Sequence, residues 1–369
     1  MKQTSDGKSR GRRFKGAAGS LGLAAILLLS ASGLAAQGLS WEDGLQRDAP
    51  DRYTVVRGDT LWDISGRFLR HPWQWPEVWQ VNPQIRNPHL IYPGDVVYLY
   101  DCNGRPCLGL ERGQGVARLS PGVRTTSHRD AIEPIPLEAI RQFLREHRII
   151  DDPESLDELA YVVGGDDRRL LSGEGDRLYA RGSVERGGRV GFYRIGETFR
   201  DAESGEVLGL ELESIGQARL ERSEDDIAVL EVTQSRQEVR NNDIVMPLES
   251  RDLQTEFYPR PPEREVEGRI LAVPGGVQFI GTLQVVSLDR GRRDGLEPGH
   301  VLMVEQMGEQ VSDPRTGELL RLPGEDAGLV MVFRAYEKMS YGLVMQATRP
   351  LEVGDRLYNP RSGLGTASR

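Results

Sequence analysis

Two cysteines and five histidines in 369 residues leave little material for metal or thiol chemistry. Cys102 and Cys107 bracket a single Asn-Gly-Arg-Pro turn, with no second cysteine pair and no histidine close in sequence, so a four-ligand zinc site is excluded. Among the histidines, His71, His89, His128 and His147 precede residue 161, and His300 stands alone in the C-terminal half. A lone histidine cannot build a zinc peptidase site, and that half has no cysteine for a Cys-His transpeptidase. No metal, no cofactor and no catalytic residue is expected, although a glycosidase working with carboxylates alone stays open. Long apolar runs are equally scarce: beyond residue 36 nothing reaches the roughly 20 residues of a membrane helix. Residues 1–36 hold six positive charges and one negative, so the whole-chain charge of −9 becomes −14 without them. An acidic chain is a poor candidate for nucleic acid or an anionic lipid surface.

Residues 1–36 have the order of a secretory signal peptide. A basic stretch (Lys2, Lys8, Arg10, Arg12, Arg13, Lys15) precedes the apolar AAGSLGLAAILLL and the small residues SASGLAA. Cleavage is expected near Ala36, giving a mature chain in the periplasm or outside the cell; the alternative is an uncleaved anchor. In such an oxidising compartment Cys102 and Cys107 can form a disulfide across their turn, or remain two free thiols if the turn holds them apart.

Residues 53–68 read YTVVRGDTLWDISGRF, a β-branched run, a Gly-Asp-Thr turn and an apolar pattern of helical period at Leu61, Ile64 and Phe68. One glycine and no lysine make this a weak phosphate loop. Thr60 is an N-cap with Asp63 three residues on. A second short helix fits Trp75 to Val81 and ends at Asn82-Pro83. Ile91-Tyr92-Pro93-Gly94-Asp95 then turns into a strand at Val96–Tyr100.

With YTVVRGDTLWDIS, NPQI and NPHLIYPGDVVYL in this order, residues 53–99 resemble a LysM module. The resemblance implies a βααβ fold that binds N-acetylglucosamine-containing glycans such as peptidoglycan. Carried over by motif, the groove lies between Gly58, Asp59, Thr60 and Leu61 on one side and Asn82, Pro83, Leu90, Ile91 and Tyr92 on the other. A purely structural reading stands beside it, since Asp59 and Thr60 also cap a helix and Leu61 also fills a core. Trp62, Trp73, Trp75 and Trp79 invite stacking on sugar rings, yet Trp75 and Trp79, one helical turn apart, suit a core better. The insertion HPWQ before Trp75 lengthens the first inter-helix loop.

Residues 100–160 read as a connector with the cysteine loop and two short helices, one opened by Pro136 (Ile140, Phe143, Leu144) and one by Asp152-Pro153. From Tyr161 the pattern becomes short alternating runs broken by glycine and acidic turns, which is β-rich. Shifted by 112 positions, residues 201–243 lie on 313–355 with 11 identities in 43, among them Glu206/Glu318, Leu208/Leu320, Leu210/Leu322 and Asp243/Asp355. Two related β units are expected, at 161–250 and 268–360, joined by a Pro-rich linker at 251–267 and followed by a disordered tail at 361–369. The matched Ser-Gly-Glu and Thr-Gly-Glu are hairpin turns needing glycine at positive φ, and the matched acids are solvated turn residues.

A signal peptide, one LysM, the connector SPGVR…IPLEAI and a β half with SGEVLG together resemble the type IV pilus secretin-associated (TsaP-like) family, with a C-terminal part similar to that of the flagellar assembly protein T. The fold class expected is α+β multidomain: a βααβ LysM, short connecting helices and a β-rich half built from two related units. The resemblance implies a non-enzymatic periplasmic adaptor whose partners are peptidoglycan and an outer-membrane secretin. The alternatives are a LysM-targeted wall-remodelling enzyme and a general envelope scaffold.

Overall fold

The computed structural model describes residues 44–79, 91–113, 132–166, 171–184, 189–248, 257–274 and 279–360. The expected signal peptide and C-terminal tail lie outside them. So do Asn82, Pro83 and Leu90.

The fold class is mostly β, which corrects the α+β expectation. Two six-stranded barrels dominate, and the helices are few and short. The N-terminal module also departs from βααβ. Strand β1 (Arg52–Thr54), helix α1 (Leu61–Phe68), helix α2 (Trp75–Trp79) and strand β2 (Val96–Asp101) are followed by a further strand, β3 (Pro106–Glu111). All three strands form one antiparallel sheet with β2 in the middle. The physical reason is the cysteine loop: Cys102 and Cys107 are joined in a disulfide with Cα atoms 5.9 Å apart. The loop thereby becomes the turn of a hairpin, and its far side, with Cys107 and Leu108 buried, adds to the sheet.

Helix α3 (Leu137–Glu146) leads into strand β4 (His147–Ile150). The second expected connector helix is only a 3₁₀ turn, Pro153–Glu158, opened by Asp152, whose carboxylate accepts from the Glu154 N–H. The first barrel comprises β5 (Ala160–Gly165), β6 (Arg177–Arg181), β7 (Arg189–Arg200), β8 (Val207–Glu224), β9 (Ile227–Ser235) and β10 (Ile244–Pro247). The second comprises β11 (Glu267–Ala272), β12 (Val285–Leu288), β13 (Val301–Gln306), β16 (Glu325–Ala335), β17 (Ser340–Ala347) and β18 (Arg356–Tyr358), with a small hairpin, β14 (Gln310–Ser312) and β15 (Leu319–Arg321), between β13 and β16.

Both barrels close in one order. Numbering the six strands of each along the chain, the ring runs first, second, fifth, fourth, third, sixth and back to the first. The 112-residue offset is therefore a spatial equivalence as well. The turns match atom for atom. Asp201 Oδ1 accepts from the N–H groups of Glu203 and Ser204, and Asp313 Oδ1 from those of Arg315 and Thr316. Gly205 (φ +73°) and Gly317 (φ +71°) take the left-handed position between them.

Alternation along β16 and β17 serves two cores at once. Val330, Val332 and Val344 point into the second barrel, whereas Leu329, Met331, Phe333, Tyr341, Leu343 and Met345 join an outer cluster with Ile140 and Phe143 of α3. A strand buried on both faces loses the polar–apolar alternation of a half-exposed one. Residues 257–266, part of the expected Pro-rich linker, are tied down: Phe257 is buried, Arg260 bridges to His300, and Asn359 Nδ2 donates to the carbonyls of Pro262 and Arg264.

Candidate functional site

Two turns of one design shape the module's face. In Val56–Asp59, Gly58 (φ +96°) precedes Asp59, whose Oδ2 accepts from the Val56 N–H at 2.8 Å. In Tyr92–Asp95, Gly94 (φ +98°) precedes Asp95, whose Oδ2 accepts from the Tyr92 N–H at 3.1 Å. A positive φ at the third position suits glycine, and the aspartate closes the turn against its own first amide. The turns are stitched together: the Val55 N–H donates to Asp95 O and the Gly94 N–H to Val55 O, both at 2.8 Å. Asp59 Oδ2 also accepts from the Tyr53 hydroxyl at 3.0 Å. That contact adds to partial burial, the larger cause, in raising the Tyr53 pKa.

Helix α1 starts with a full capping box. Thr60 Oγ1 accepts from the Asp63 N–H, and Asp63 Oδ2 accepts from the Thr60 N–H. Leu61, Ile64 and Phe68 face the module core with Trp75, Val78, Trp79 and Ile91. Among the candidate glycan residues, Thr60, Leu61 and Ile91 are buried, Asp59 and Tyr92 are half-buried and Gly58 is exposed. Side chains therefore contribute structure here, and what the face offers a ligand is backbone and the Tyr92 ring, over which the Arg112 guanidinium lies 5.6 Å from the centroid.

Sugar stacking by the tryptophans is not the arrangement found. Trp62, Trp73, Trp75 and Trp79 are all buried. Trp75 and Trp79 belong to the module core, whereas Trp62 and Trp73 belong to the outer cluster of the second barrel, with Val301, Met331 and Tyr341. The HPWQ insertion is a 3₁₀ turn, Pro72–Gln74, that carries Trp73 into this cluster.

Sequence reasoning missed one occupant of the groove. Residues Ile132–Pro134 run between Leu61 and Ile91. The Ile132 N–H donates to Ile91 O at 2.8 Å, and the carbonyls of Glu133 and Pro134 accept from the Leu61 and Trp62 N–H groups at 3.0 and 3.2 Å. Those amides are helix N-terminal donors, which otherwise need water or a ligand. Ile132 is buried in the module core. Glu133 also opens α3, its carboxylate accepting from the Leu137 N–H at 3.1 Å. The IEPIP stretch signals a helix start but carries no mark of where its preceding residues dock.

The matched acids of the β half are not all solvated. Asp243 and Asp355 are 3% and 5% exposed, and Glu206 is held by Arg293 and Lys338. Among the described residues no group of three or more His, Cys, Asp or Glu side chains could hold a metal ion.

Comparison with known proteins agrees with the module's geometry. Residues 53–99 match the LysM domain family. An uncharacterized protein of Bacillus subtilis (strain 168), YqbP, is 41% identical over 58 residues, which are 13% of this chain and 26% of that protein. The chain thus spans about a quarter of the length of this relative. LysM domains bind peptidoglycan and related carbohydrates, and residues 53–99 are a module of this kind.

Proposed function

We propose that the protein is a periplasmic adaptor that holds an outer-membrane secretin, the exit channel of a type IV pilus, to peptidoglycan. The observation that carries this reading is the LysM module seated on a double barrel by Trp62 and Trp73. The module offers a glycan-binding face and the barrels lie outside it. The acidic charge and the N-terminal sequence fit export, and the motif order resembles the secretin-associated family. The glycan is read by backbone groups of the 58–61 and 91–92 turns when the Ile132–Pro134 segment leaves them, with the Tyr92 ring against a sugar face.

The test uses the full chain without residues 1–36. It is expected to sediment with purified peptidoglycan, with little loss on raising the salt, because a neutral glycan offers few charge contacts. Tyr92→Ala is expected to weaken sedimentation. In cells, the secretin is expected to co-purify with the tagged protein and to be released from the wall fraction when it is deleted. Sedimentation without any secretin association would leave a general envelope scaffold; release of muropeptides would favour an enzyme.

A further inference from the structure

The repeat supplies one element with a seat and its twin with none. In the first barrel, the β7–β8 hairpin reaches beyond its own ring to the second barrel. Glu206 forms a two-pronged ion pair with Arg293, at 2.8 and 2.9 Å, and a third contact with Lys338 at 3.3 Å. Lys338 Nζ also donates to Val207 O at 3.1 Å, and Glu203 meets Arg269 at 3.0 Å. Phe199 and Leu208 join Phe143, Phe333, Met339 and Tyr341 in one apolar cluster. Leu208 is 0% exposed and Leu210 5%.

The β14–β15 hairpin is the same element displaced by 112 residues, with the same turn and the same end pairing, Arg200–Val207 in one and Ser312–Leu319 in the other. Its apolar residues are bare: Leu319 is 69% exposed, and Leu320 and Leu322, the equivalents of Leu208 and Leu210, are 41% and 46%. Glu318, the equivalent of Glu206, is exposed and meets no cation among the described residues. Met307, Leu322 and Val353 line an open groove of about 800 Å³ at the hairpin's base. Exposed leucines grouped in this way mark an interaction surface.

A second copy of this chain cannot supply the seat. The seat on its second barrel is filled by its own first hairpin. On its first barrel, the positions equivalent to Phe333 and Lys338 are Glu221 and Asp226, which remove both the aromatic wall and the cation. The geometry points to a different protein as the partner of the β14–β15 hairpin. Its surface has an apolar, aromatic-lined seat for Leu320 and Leu322, rimmed by an arginine or lysine that pairs with Glu318. One difference from the internal contact is that Gly209, pressed so closely that a Cβ would lie 2.5 Å from Ile149 Cγ2, has Arg321 as its equivalent. The partner's seat is therefore roomier at that point.

The test places a photo-crosslinking amino acid at Leu320 of the full chain in its own cells, with Leu171, exposed between β5 and β6, as the control position. Expected is one discrete adduct at Leu320 and none at Leu171, lost on adding Glu318→Arg or Leu322→Asp while the thermal midpoint stays unchanged. The linked partner peptide is expected to contain an aromatic residue beside an arginine or lysine. Exchanging that cation for glutamate should restore the adduct to the Glu318→Arg chain, and purified partner should bind Glu318→Arg at least tenfold more weakly. No adduct, an adduct between two copies of this chain, or one that survives both substitutions would overturn the proposal. None of these readouts depends on glycan binding, so the wall-binding reading stands or falls separately.

Discussion

Asp243 and Asp355, 112 residues apart, close the same turn in two barrels. Each Oδ2 accepts from the amide three residues upstream, Arg240 in one and Glu352 in the other, at 2.8 Å. Each carbonyl accepts from the first strand of its own barrel, Val162 N–H and Ile270 N–H, at 2.9 Å. Asp355→Ala takes the acceptor from the Glu352 amide and is expected to cost about 1 kcal/mol. Asp355→Asn, whose amide oxygen can still accept, should cost less. Denaturant midpoints of the two variants check this, and equal costs would mean that the turn bond contributes little.

Ile132→Asp tests the occupied groove. A carboxylate in the module core should expel the Ile132–Pro134 segment and free the Leu61 and Trp62 amides. A site open for only a fraction of the time binds more weakly by that fraction, so affinity for chitooligosaccharides is expected to rise, by about tenfold if the segment is bound nine-tenths of the time. Calorimetric titration of the full chain measures it. Unchanged affinity, with the Ile132 amide protected from exchange in the glycan-bound wild type, would place the sugar elsewhere.

Docking of the first hairpin is expected to be pH-dependent. Arg293 first, then Lys338, holds the Glu206 carboxyl at about 2, against an ordinary 4.5. A carboxyl depressed in the folded state adds stability in full above its ordinary value and loses it as the pH falls towards its folded value. Protection factors in residues 207–210, that is, exchange corrected for its intrinsic pH dependence, should therefore be level from neutrality to about pH 4.5 and fall below it. Glu206→Gln should remove that step while leaving exchange elsewhere in the barrels unchanged.

His300 gives a second acid response, at higher pH. Its buried Nδ1 accepts the Glu297 N–H at 3.1 Å, and burial, assisted by Arg260, pushes its pKa below 6.5. A histidine depressed in the folded state resists a proton that the unfolded chain accepts, so stability should fall as the pH drops below about 6.5 and be level above it. Urea midpoints at pH 5.5 and 7.5 should differ in the wild type and differ less in His300→Asn, the remainder coming from His71, whose pKa burial also lowers.

The legible parts of this chain were the local ones. The Thr60–Asp63 capping box, the glycines at 58, 94, 205 and 317 and the repeat offset each rest on residues a few positions apart, or on pattern alone. Strand β3 is hidden because Pro106–Glu111 reads as the exit of a turn, and only its ladder with β2 shows it to be sheet. Asp243 and Asp355 were misread because aspartate in a turn usually faces water, whereas here neighbouring strands cover it. The Ile132–Pro134 segment was invisible because its docking depends on carbonyls meeting helix amides 70 residues away, and a carbonyl carries no side-chain signature. The tryptophans divided between two cores for the same reason: spacing gives a face, but not what covers it.

The seating of Trp62 and Trp73 in the second barrel's outer cluster has a mechanical consequence. A glycan-binding module on a flexible tether acts as a loose spring, and load on the wall would first straighten the tether. Here α1 is gripped on two faces, by the module core through Leu61 and Phe68 and by the barrel cluster through Trp62. A pull on the glycan would pass directly into packed side chains and the ladders of a closed barrel, with little slack to take up.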